Sequence, residues 1–378
     1  MNVGVNDYDV TLFESQYMLE EGMAYNSYVI LDDKVAVMDT VDAHVTEQWL
    51  QNLKETLGER TVDYLVISHM EPDHSGSILT LTQMYPDMKL VGNMQTFKMM
   101  QQFFAIDLED RKIVVKEGES LSLGNHTLQF AMAPMVHWPE VMVTYEQSEK
   151  VLFSADAFGK FGTRDADEDW TCEARRYYFN ICGKYGMQVQ NLLKKVAGFE
   201  LSVICPLHGP VLSENLSYYI DKYDIWSKYE PEDKGVFIAY ASIHGNTKKA
   251  ALKLKEILEA KGVEKVAIAD LAREDLHESV EDAFRYDRLV LAASSYDAGV
   301  FPPMETFLHH LKAKNYQKRS VAIMENGTWA PTAARTMKGL LEGMKDINLV
   351  EPVITIQSTM NAVNVAQMEE LANTLASM

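Results

Sequence analysis

The segment 69–74 (HMEPDH) places two imidazoles and two carboxylates within six positions. It follows an apolar run (YLVI) that is typical of a buried strand, so the cluster lies where a strand ends and a loop begins. Residues two positions apart in extended backbone point to the same side, and Pro72 keeps the residue before it out of helical dihedrals. We therefore expect His69, Glu71 and Asp73 to converge on one side, as ligands of a metal ion would.

Three more candidate ligands follow later strands, and they are His137, Asp156 and His208. Each comes just after a predicted strand, on a loop that contains Pro or Gly, and side chains at strand ends are held more rigidly than those on free loops. Any one of them alone would be weak evidence, but their joint spacing favours metal binding. The remaining histidines lack such settings, and we expect surface or packing roles for His44, His126, His277, His309 and His310.

Length and composition bound the possible functions. A chain of 378 residues is too long for one ordinary domain, so two domains are expected. The formal net charge of −20 disfavours nucleic-acid binding, because a chain this acidic is repelled by phosphate backbones. The three cysteines form no CxxC pair and no disulfide framework, which favours a reducing compartment and argues against an all-thiolate iron–sulfur or rubredoxin-type site. We recognise no signal peptide and no membrane span, and we expect a cytoplasmic protein.

The first domain, predicted as residues 1–232, is rich in short strand signals. We predict hairpins at 26–40, 120–133 and 141–154, strands at 63–68, 89–92 and 201–205, and helices at 45–57, 75–84 and 185–196. The polar, acidic segment 159–175 is predicted as a long surface loop. Hairpins with helices on the outside favour two packed sheets, which is an αββα sandwich.

The second domain, predicted as residues 233–378, follows a charged segment with Pro and Gly. We predict strands at 236–240, 265–269, 288–293, 320–324 and 353–357, and helices at 247–261, 276–284, 303–314, 332–345 and 365–377. Five βα units imply an α/β domain with a doubly wound parallel sheet of the flavodoxin kind.

The order of candidate ligands resembles the metallo-β-lactamase superfamily, whose usual loop is HxHxDH. This chain has HxExDH, with Glu71 at the position of the second histidine, followed by HWPE at 137–140, SAD at 154–156 and LHG at 207–209. Together with the C-terminal flavodoxin-like domain, these motifs are similar to the flavodiiron proteins (A-type flavoproteins), and the resemblance covers essentially the whole chain. A mixed set of imidazoles and carboxylates suits non-haem iron, whereas zinc hydrolases favour imidazole-rich sites.

The resemblance implies a ligand set for two non-haem irons. It implies one iron on His69, Glu71 and His137, the other on Asp73 and His208, and a bridge by Asp156. In this family the position of His74 is not always a ligand. His74 reaches the metal of Asp73 only if the turn folds it inward, and the sequence leaves this open.

The loop 241–247 (ASIHGNT) follows the first strand of the second domain and precedes a helix. Hydroxyls and backbone N–H groups at a helix start form an anion site, although Ser, Asn and Thr there are also common helix caps. The loop lacks the lysine of a nucleotide-triphosphate loop and resembles the flavodoxin loop that binds the FMN phosphate. Two further loops follow the third and fourth strands, and their aromatic residues suit a flavin ring. The candidate FMN contacts are Ser242, His244, Gly245, Asn246 and Thr247, then Ser294, Tyr296, Asp297, Gly299 and Phe301, then Asn326, Gly327, Thr328 and Trp329. The WAP sequence after Thr328 departs from the glycine-rich loop of flavodiiron relatives.

The resemblance implies an oxidoreductase that reduces O2 to water, NO to N2O, or both, at a diiron centre supplied by FMN. It also implies a head-to-tail homodimer, or a dimer of dimers, and a separate electron donor such as rubredoxin. One alternative is a zinc hydrolase of the metallo-β-lactamase superfamily with a flavodoxin-like domain for electron transfer or binding. Another is an electron-transfer or binding protein whose metal site is structural. The carboxylate of Glu71 weighs against the hydrolase.

Overall fold

The computed structural model describes residues 1–105 and 109–378, which fall into two units, Met1–Asp224 and Ile225–Met378. The charged segment in which the boundary was predicted belongs to the second unit and is hydrogen-bonded to it. There the backbone N–H of Glu232 donates to the carbonyl of Arg285 at 2.9 Å, and the strand Asp233–Ala241 begins at the next residue. Within the described ranges, no helix is long and apolar enough to cross a membrane.

Two five-stranded sheets form the first unit, and this confirms the predicted αββα sandwich. The first sheet contains, in spatial order, Tyr28–Leu31, Val35–Met38, Tyr64–Val66, Lys89–Gly92 and Lys112–Val114. The second contains Ser120–Ser122, Thr127–Met132, Met142–Glu146, Val151–Phe153 and Val203–Cys205. Short strand pairs precede them at Val5–Asp7 with Met23–Tyr25 and at Leu12–Phe13 with Tyr17–Met18. The α-helices are Thr46–Leu57, Pro72–Ser75, Ile78–Met84, Met94–Phe104, Trp170–Tyr177, Gly186–Val196 and Leu216–Ser227. Shorter helical turns lie at Ala43–Val45, Glu109–Arg111, Tyr178–Cys182 and Gly183–Tyr185.

Alternating side chains of the central strands build the two sides of the first sheet. Val37 and Leu65 pack with Trp49 of the helix Thr46–Leu57, whereas their neighbours Met38 and Val66 pack between the two sheets. This alternation explains why helices lie outside the sheets and a second apolar layer lies between them. The strand ends are therefore anchored on both faces.

The prediction of a surface loop over 159–175 is wrong. Lys160, Phe161 and Thr163 are buried, and Lys160 forms an ion pair with Glu168. The helix Trp170–Tyr177 begins inside the segment, where the Asp169 side chain accepts a hydrogen bond from the backbone of Thr171. The acidic composition suggested exposure, but part of that charge caps a helix and part compensates a buried lysine. The helices Met94–Phe104 and Leu216–Ser227 were not predicted.

A parallel sheet forms the second unit, and its strand order confirms the flavodoxin-like topology. The strands lie in the order Val266–Asp270, Asp233–Ala241, Tyr286–Tyr296, Arg319–Asn326 and Ile347–Ile356, and the short strand Gly299–Val300 pairs with the end of the third. The helices are Asn246–Ala260, Leu276–Arg285, Pro302–Ala313, Ala333–Leu341 and Ala362–Ala376. The chain order of the strands across the sheet is 2-1-3-4-5, in which ligands bind at the carboxyl ends of the strands.

Candidate functional site

The predicted metal ligands of the first unit follow strands of both sheets. His69 comes after Tyr64–Val66, and the backbone N–H groups of Ser68 and His69 donate to Asp39 Oδ1 at 2.7 and 3.3 Å. Asp156 follows Val151–Phe153, and His208 follows Val203–Cys205, which is the parallel neighbour of that strand. The sandwich thus brings residues from distant parts of the chain to one end of both sheets.

The expectation that the loop is extended through Asp73 is wrong. Glu71 has φ −60° and ψ 140°, as Pro72 requires, but Pro72–Ser75 is a helical turn with proline at its first position. Proline restricts the residue before it and is itself well suited to the start of a helix, so the backbone changes direction at this point. Asp73 therefore leaves the side shared by His69 and Glu71.

His69, Glu71 and His137 form the first ligand group. Glu71 Oε2 lies 3.1 Å from His69 Nε2 and 2.9 Å from His137 Nε2. The same two nitrogens lie 3.3 and 3.2 Å from Asp156 Oδ2. His69 is fully buried, whereas Glu71 and His137 are partly exposed. One carboxylate and two imidazoles thus face a common centre together with one oxygen of Asp156.

Asp73, His74 and His208 form the second ligand group, in which the structure places His74 beside Asp73. The helical turn folds His74 inward, where it is 1% exposed. Its Nε2 lies 3.1 Å from Asp73 Oδ2, 3.1 Å from His208 Nε2 and 3.1 Å from Asp156 Oδ1. His208 Nε2 also lies 3.1 Å from Asp73 Oδ2, although it is 3.8 Å from Asp156 Oδ1. His74 Nε2 therefore lies close both to the carboxylate of its own group and to Asp156, as His69 Nε2 does in the first group.

The spacing of these atoms fits metal ions. Atoms bound about 2.1 Å from one metal lie about 3.0 Å apart at neighbouring corners of an octahedron and about 3.4 Å apart in a tetrahedron. The nitrogen–oxygen distances above fall between 2.9 and 3.3 Å, apart from the 3.8 Å separation of His208 and Asp156. Both oxygens of Asp156 are buried, and among the described residues neither accepts a well-directed hydrogen bond. The imidazole edges are thus aimed at shared points rather than at the carboxylate itself.

The electrostatic environment of the two ligand groups favours positive charge between their carboxylates. Burial alone would lower the pKa of the His74 imidazole, but the carboxylates of Asp73 and Asp156 raise it to about 10. Burial would likewise lower the pKa of His137, but the adjacent carboxylates of Asp156 and Glu71 raise it to about 9. Burial opposes ionisation of Asp73 and Asp156, yet the adjacent imidazoles hold the pKa of each carboxyl well below its usual range. Positive charge between the carboxylates therefore stabilises them, and either protons on the imidazoles or metal ions can supply that charge.

Glu140 is a buried contact of the first ligand group whose role the sequence did not reveal. Its Oε1 lies 2.7 Å from His69 Nδ1 and accepts a hydrogen bond from the backbone N–H of Met70 at 2.8 Å. The side chain of Asn93 donates to the Glu140 carbonyl at 2.6 Å and so holds its backbone. The HWPE motif contained the signal, because a carboxylate three residues after one ligand can reach the imidazole of another.

Aromatic rings cover the second ligand group, and the sequence did not predict them either. The rings of Phe13, Tyr25 and Tyr177 lie 5.5, 6.1 and 5.6 Å from that of His208. All three are buried. They keep water away from the His208 side of the cluster, which strengthens the electrostatic interactions there.

The predicted phosphate loop of the second unit lies at the start of the helix Asn246–Ala260. Gly245 precedes this helix at φ +89°, offers no side-chain cap, and donates its N–H to Ser242 Oγ at 3.0 Å. The first N–H groups of the helix are therefore available to an anion. Thr247 Oγ1 lies 2.9 Å from Ser294 Oγ, which joins the first predicted loop to the second.

A cleft of about 660 Å³ opens over the three predicted loops, within the range of small-molecule sites. Eleven of the fourteen predicted contacts line it, namely Ser242, His244, Asn246, Thr247, Ser294, Tyr296, Asp297, Asn326, Gly327, Thr328 and Trp329. Three do not line it, namely Gly245, Gly299 and Phe301. The lining residues that were not predicted are Ile243, Ser295, Ala298, Ala330, Thr332 and Ser358.

Hydrogen bonds between neighbouring loops fix the shape of the cleft. Ser295 Oγ accepts from the N–H of Thr332 at 2.8 Å, and Asn326 exchanges hydrogen bonds with Ser358 at 2.9 and 3.1 Å. Trp329 is 89% exposed and Tyr296 is 46% exposed, so large aromatic surfaces stand at the cleft. An exposed indole of this kind suits stacking on a planar ligand. A flavin with a terminal phosphate fits the combination of an uncapped helix start and aromatic walls.

The histidines outside the two ligand groups and the cleft have local partners in several cases. His44 contacts Asp42 and Asp7 at 2.6 and 2.7 Å, and His126 contacts Asp32 at 2.9 Å. His277 and His310 have ring centroids 5.8 Å apart. These contacts agree with surface and packing roles.

Known proteins share both the sequence pattern and the fold of this chain. A family model described as ODP family beta lactamase matches residues 23–209, and a flavodoxin domain model matches residues 237–353. A nitric oxide reductase of Moorella thermoacetica is 29% identical over 99% of this chain and 96% of its own length. The rubredoxin oxygen:oxidoreductase structure from Desulfovibrio gigas has 25% identity and a TM-score of 0.92, covering 100% of this chain and 96% of that one. The Giardia intestinalis flavodiiron protein structure, at 22% identity and a TM-score of 0.92, covers 100% and 94% and shares the fold.

The position of His74 predicts a loss of metal on its removal. We expect His74→Ala to hold about one tightly bound metal ion per chain where the unmodified chain holds two, because its group loses one of its two imidazoles. Elemental analysis after gel filtration measures the stoichiometry. His309→Ala, which alters an exposed histidine, should keep both ions. A His74→Ala protein with two ions at unchanged affinity would show that His74 is not a ligand.

The place of Thr247 in the predicted phosphate loop, where it lines the cleft, predicts selective loss of FMN. In full-length protein stripped of flavin, Thr247→Val should weaken FMN binding by roughly 10-fold or more, because a hydroxyl donor to a charged phosphate is lost. Riboflavin, which lacks the phosphate, should bind both proteins equally in fluorescence titrations. Thr336→Val removes a hydroxyl that donates to the Thr332 carbonyl within its own helix, and it should change neither affinity. Equal weakening of both flavins would argue against a phosphate contact.

Proposed function

Because the chain belongs to the flavodiiron protein family, we propose that it reduces O2 to water, NO to N2O, or both, at a diiron site that receives electrons through FMN. The relatives above are named as a nitric oxide reductase and as a rubredoxin oxygen:oxidoreductase, so they leave both diatomic substrates open. The enzyme is accordingly an FMN-dependent oxidoreductase with iron.

The observation that carries this proposal is the carboxylate of Glu71 between two imidazoles. Its Oε2 lies 3.1 Å from His69 Nε2 and 2.9 Å from His137 Nε2, where the usual loop of the superfamily supplies a third imidazole. A carboxylate stabilises ferric iron better than a neutral imidazole does, because it adds negative charge beside the metal. We assign one iron to His69, Glu71 and His137.

The second iron is assigned to Asp73, His74 and His208, with Asp156 shared between both. Support comes from the 3.1 Å distances of His74 Nε2 to Asp73 and to Asp156, and from the burial of this imidazole. Each ligand group would offer its ion two imidazoles, a carboxylate of its own and one oxygen of Asp156. Ions held by so few protein donors would keep positions open for a diatomic ligand.

Bound iron and FMN together would supply electrons, two from the iron pair and two from reduced flavin, which matches the four that convert O2 to two waters. The protein holds the ligands before any substrate arrives, through the strand ends and through Asp39 and Glu140. Buried rings of Phe13, Tyr25 and Tyr177 limit water at the second group. By limiting water there, these rings would restrict side reactions at a bound metal centre.

FMN is assigned to the cleft over the helix Asn246–Ala260. The uncapped start of that helix supports a phosphate site, and the exposed rings of Tyr296 and Trp329 support a flavin ring site. Gly245, Gly299 and Phe301 do not line the cleft and would act on the loops instead. For Phe301, the ring lies 5.9 Å from that of Tyr296 and can hold it in place.

Partners and location form the remaining part of the proposal. Flavin and iron must lie close together for fast electron transfer, but their sites belong to different units of one chain. We propose a head-to-tail homodimer, or a dimer of dimers, in which the flavin of one subunit serves the irons of its partner. We also propose a cytoplasmic protein with a separate electron donor such as rubredoxin, which the name of the Desulfovibrio relative supports.

A direct test is the composition and reactivity of purified protein. We expect two irons and one FMN per chain, reduction of both under anaerobic conditions, and reoxidation on addition of O2 or NO with water or N2O as product. Sedimentation should give a mass of at least two chains, and dilution to monomer should slow turnover. Two zinc ions, no FMN and hydrolysis of a thioester or lactam would instead support the hydrolase alternative, which the relatives do not favour.

A further inference from the structure

The two ligand groups are chemically matched. Each contains two imidazoles and one carboxylate of its own, and they share Asp156, whose Oδ2 faces the first group and whose Oδ1 faces the second. Two irons in these positions would therefore be nearly equivalent if only the direct ligands mattered. The groups differ in the hydrogen-bond partner of the imidazole nitrogen Nδ1, which faces away from the shared carboxylate.

The first group has a buried carboxylate behind one imidazole. Glu140 Oε1 lies 2.7 Å from His69 Nδ1, and both side chains have no exposed area. The same oxygen accepts the N–H of Met70, so it acts as an acceptor, and Nδ1 of His69 donates. This fixes the tautomer and leaves the lone pair of His69 Nε2 facing Glu71 and Asp156. Among the described residues, Glu140 Oε2 has no hydrogen-bond partner.

In the described part of the chain, neither histidine of the second group has a carboxylate hydrogen-bonded to its Nδ1. His208 Nδ1 donates to the backbone carbonyl of Ala24 at 2.7 Å, which is a neutral acceptor. His74 Nδ1 is buried, and no hydrogen-bond partner for it lies in the described part of the chain. Among the described residues, His208 is therefore oriented by a neutral acceptor, and the buried carboxylate of Asp39 acts on His74 through its charge without a hydrogen bond to it. By contrast, His69 Nδ1 is hydrogen-bonded to a carboxylate.

We propose that Glu140 is a positioning residue that makes the two iron sites unequal, with the iron of His69, Glu71 and His137 bound more tightly and oxidised first. The inference rests on the proposed diiron function. A carboxylate that accepts a hydrogen bond from an imidazole makes that imidazole a stronger donor to the metal. Its negative charge also stabilises Fe(III) more than Fe(II), because the interaction grows with the charge on the ion.

The consequence is a defined order of oxidation. One equivalent of ferricyanide removes one electron from the diferrous centre and is reduced to ferrocyanide. The product contains one Fe(III), in the first ligand group, and one Fe(II), in the second. The group that Glu140 supports thus has the lower reduction potential.

The test compares the full-length protein with Glu140→Gln, which keeps an acceptor oxygen for His69 and Met70 but removes the charge. The reduction potentials of the two irons are measured by redox titration with EPR detection of the half-oxidised centre. The affinities for Fe(II) are measured by stepwise titration of metal-free protein. We expect Glu140→Gln to raise the lower of the two iron potentials, to leave the higher one in place, and to weaken the tighter binding step by about 10- to 100-fold. Glu140→Asp shortens the side chain but keeps the charge. The lower of its two iron potentials should therefore lie closer to that of the unmodified protein than the lower potential of Glu140→Gln does.

The matched control is Glu146→Gln. Glu146 is a buried carboxylate of the same unit, 2% exposed, which accepts hydrogen bonds from Ser148 and from the N–H of Glu149 in its own turn. Glu146→Gln should change neither the two iron potentials nor the affinities for Fe(II). The inference is overturned if Glu140→Gln shifts the higher potential, shifts both equally, or shifts neither, or if Glu146→Gln has the same effect. An unmodified protein that binds fewer than two irons would overturn the proposed function itself, which is a different and separately recognisable result.

Discussion

A single buried carboxylate, Asp156, is the constraint around which the first unit is organised. Its Oδ2 faces the nitrogens of His69 and His137, and its Oδ1 faces that of His74 at 3.1 Å. Burial of an ionised carboxylate costs several kcal/mol unless opposite charges and directed contacts compensate it. The imidazoles lower the pKa of Asp156, and two cations placed on either side would compensate it further. The fold must therefore bring both sets of partners to one carboxylate at once.

The two sheets achieve this because their strands end at the same edge. Alternate side chains of the first sheet pack against the helix Thr46–Leu57 and against the second sheet, so the ends of the strands cannot shift independently. The ligands follow those ends directly, and Asp39 and Glu140 fix the backbone and the imidazole of His69. In the second unit the same principle applies to the cleft, where three loops follow neighbouring parallel strands and are joined by hydrogen bonds through Ser295 and Thr247. Asn326 joins the last of these loops to Ser358, which follows the final strand. Rigid supports of this kind hold a site ready before its cofactors bind.

Local patterns were sufficient to predict most of the architecture. Alternation in 141–154 and regular βα spacing after residue 235 are properties of short segments, and they predicted the sandwich and the parallel sheet. The family resemblance supplied the division of ligands between two metals. By contrast, the inward position of His74 depends on the helical turn that Pro72 begins, and proline restricts the residue before it without fixing the conformation of the residues after it. Whether Lys160 is buried depends on its ion pair with Glu168 inside a folded segment, so composition alone predicted the opposite. The contact of Glu140 with His69 joins residues 71 positions apart, and no short window of sequence contains it.

Diffraction from crystals of the iron-loaded protein, with data recorded above and below the iron absorption edge, would show directly whether Asp156 lies between two irons. We expect two anomalous peaks about 3.5–4 Å apart, one beside each ligand group, with one oxygen of Asp156 at each. A single peak, or two peaks of which one lies away from Asp156, would contradict the shared carboxylate. Signal at the zinc edge in place of the iron edge from protein purified as expressed would contradict the assignment of redox iron.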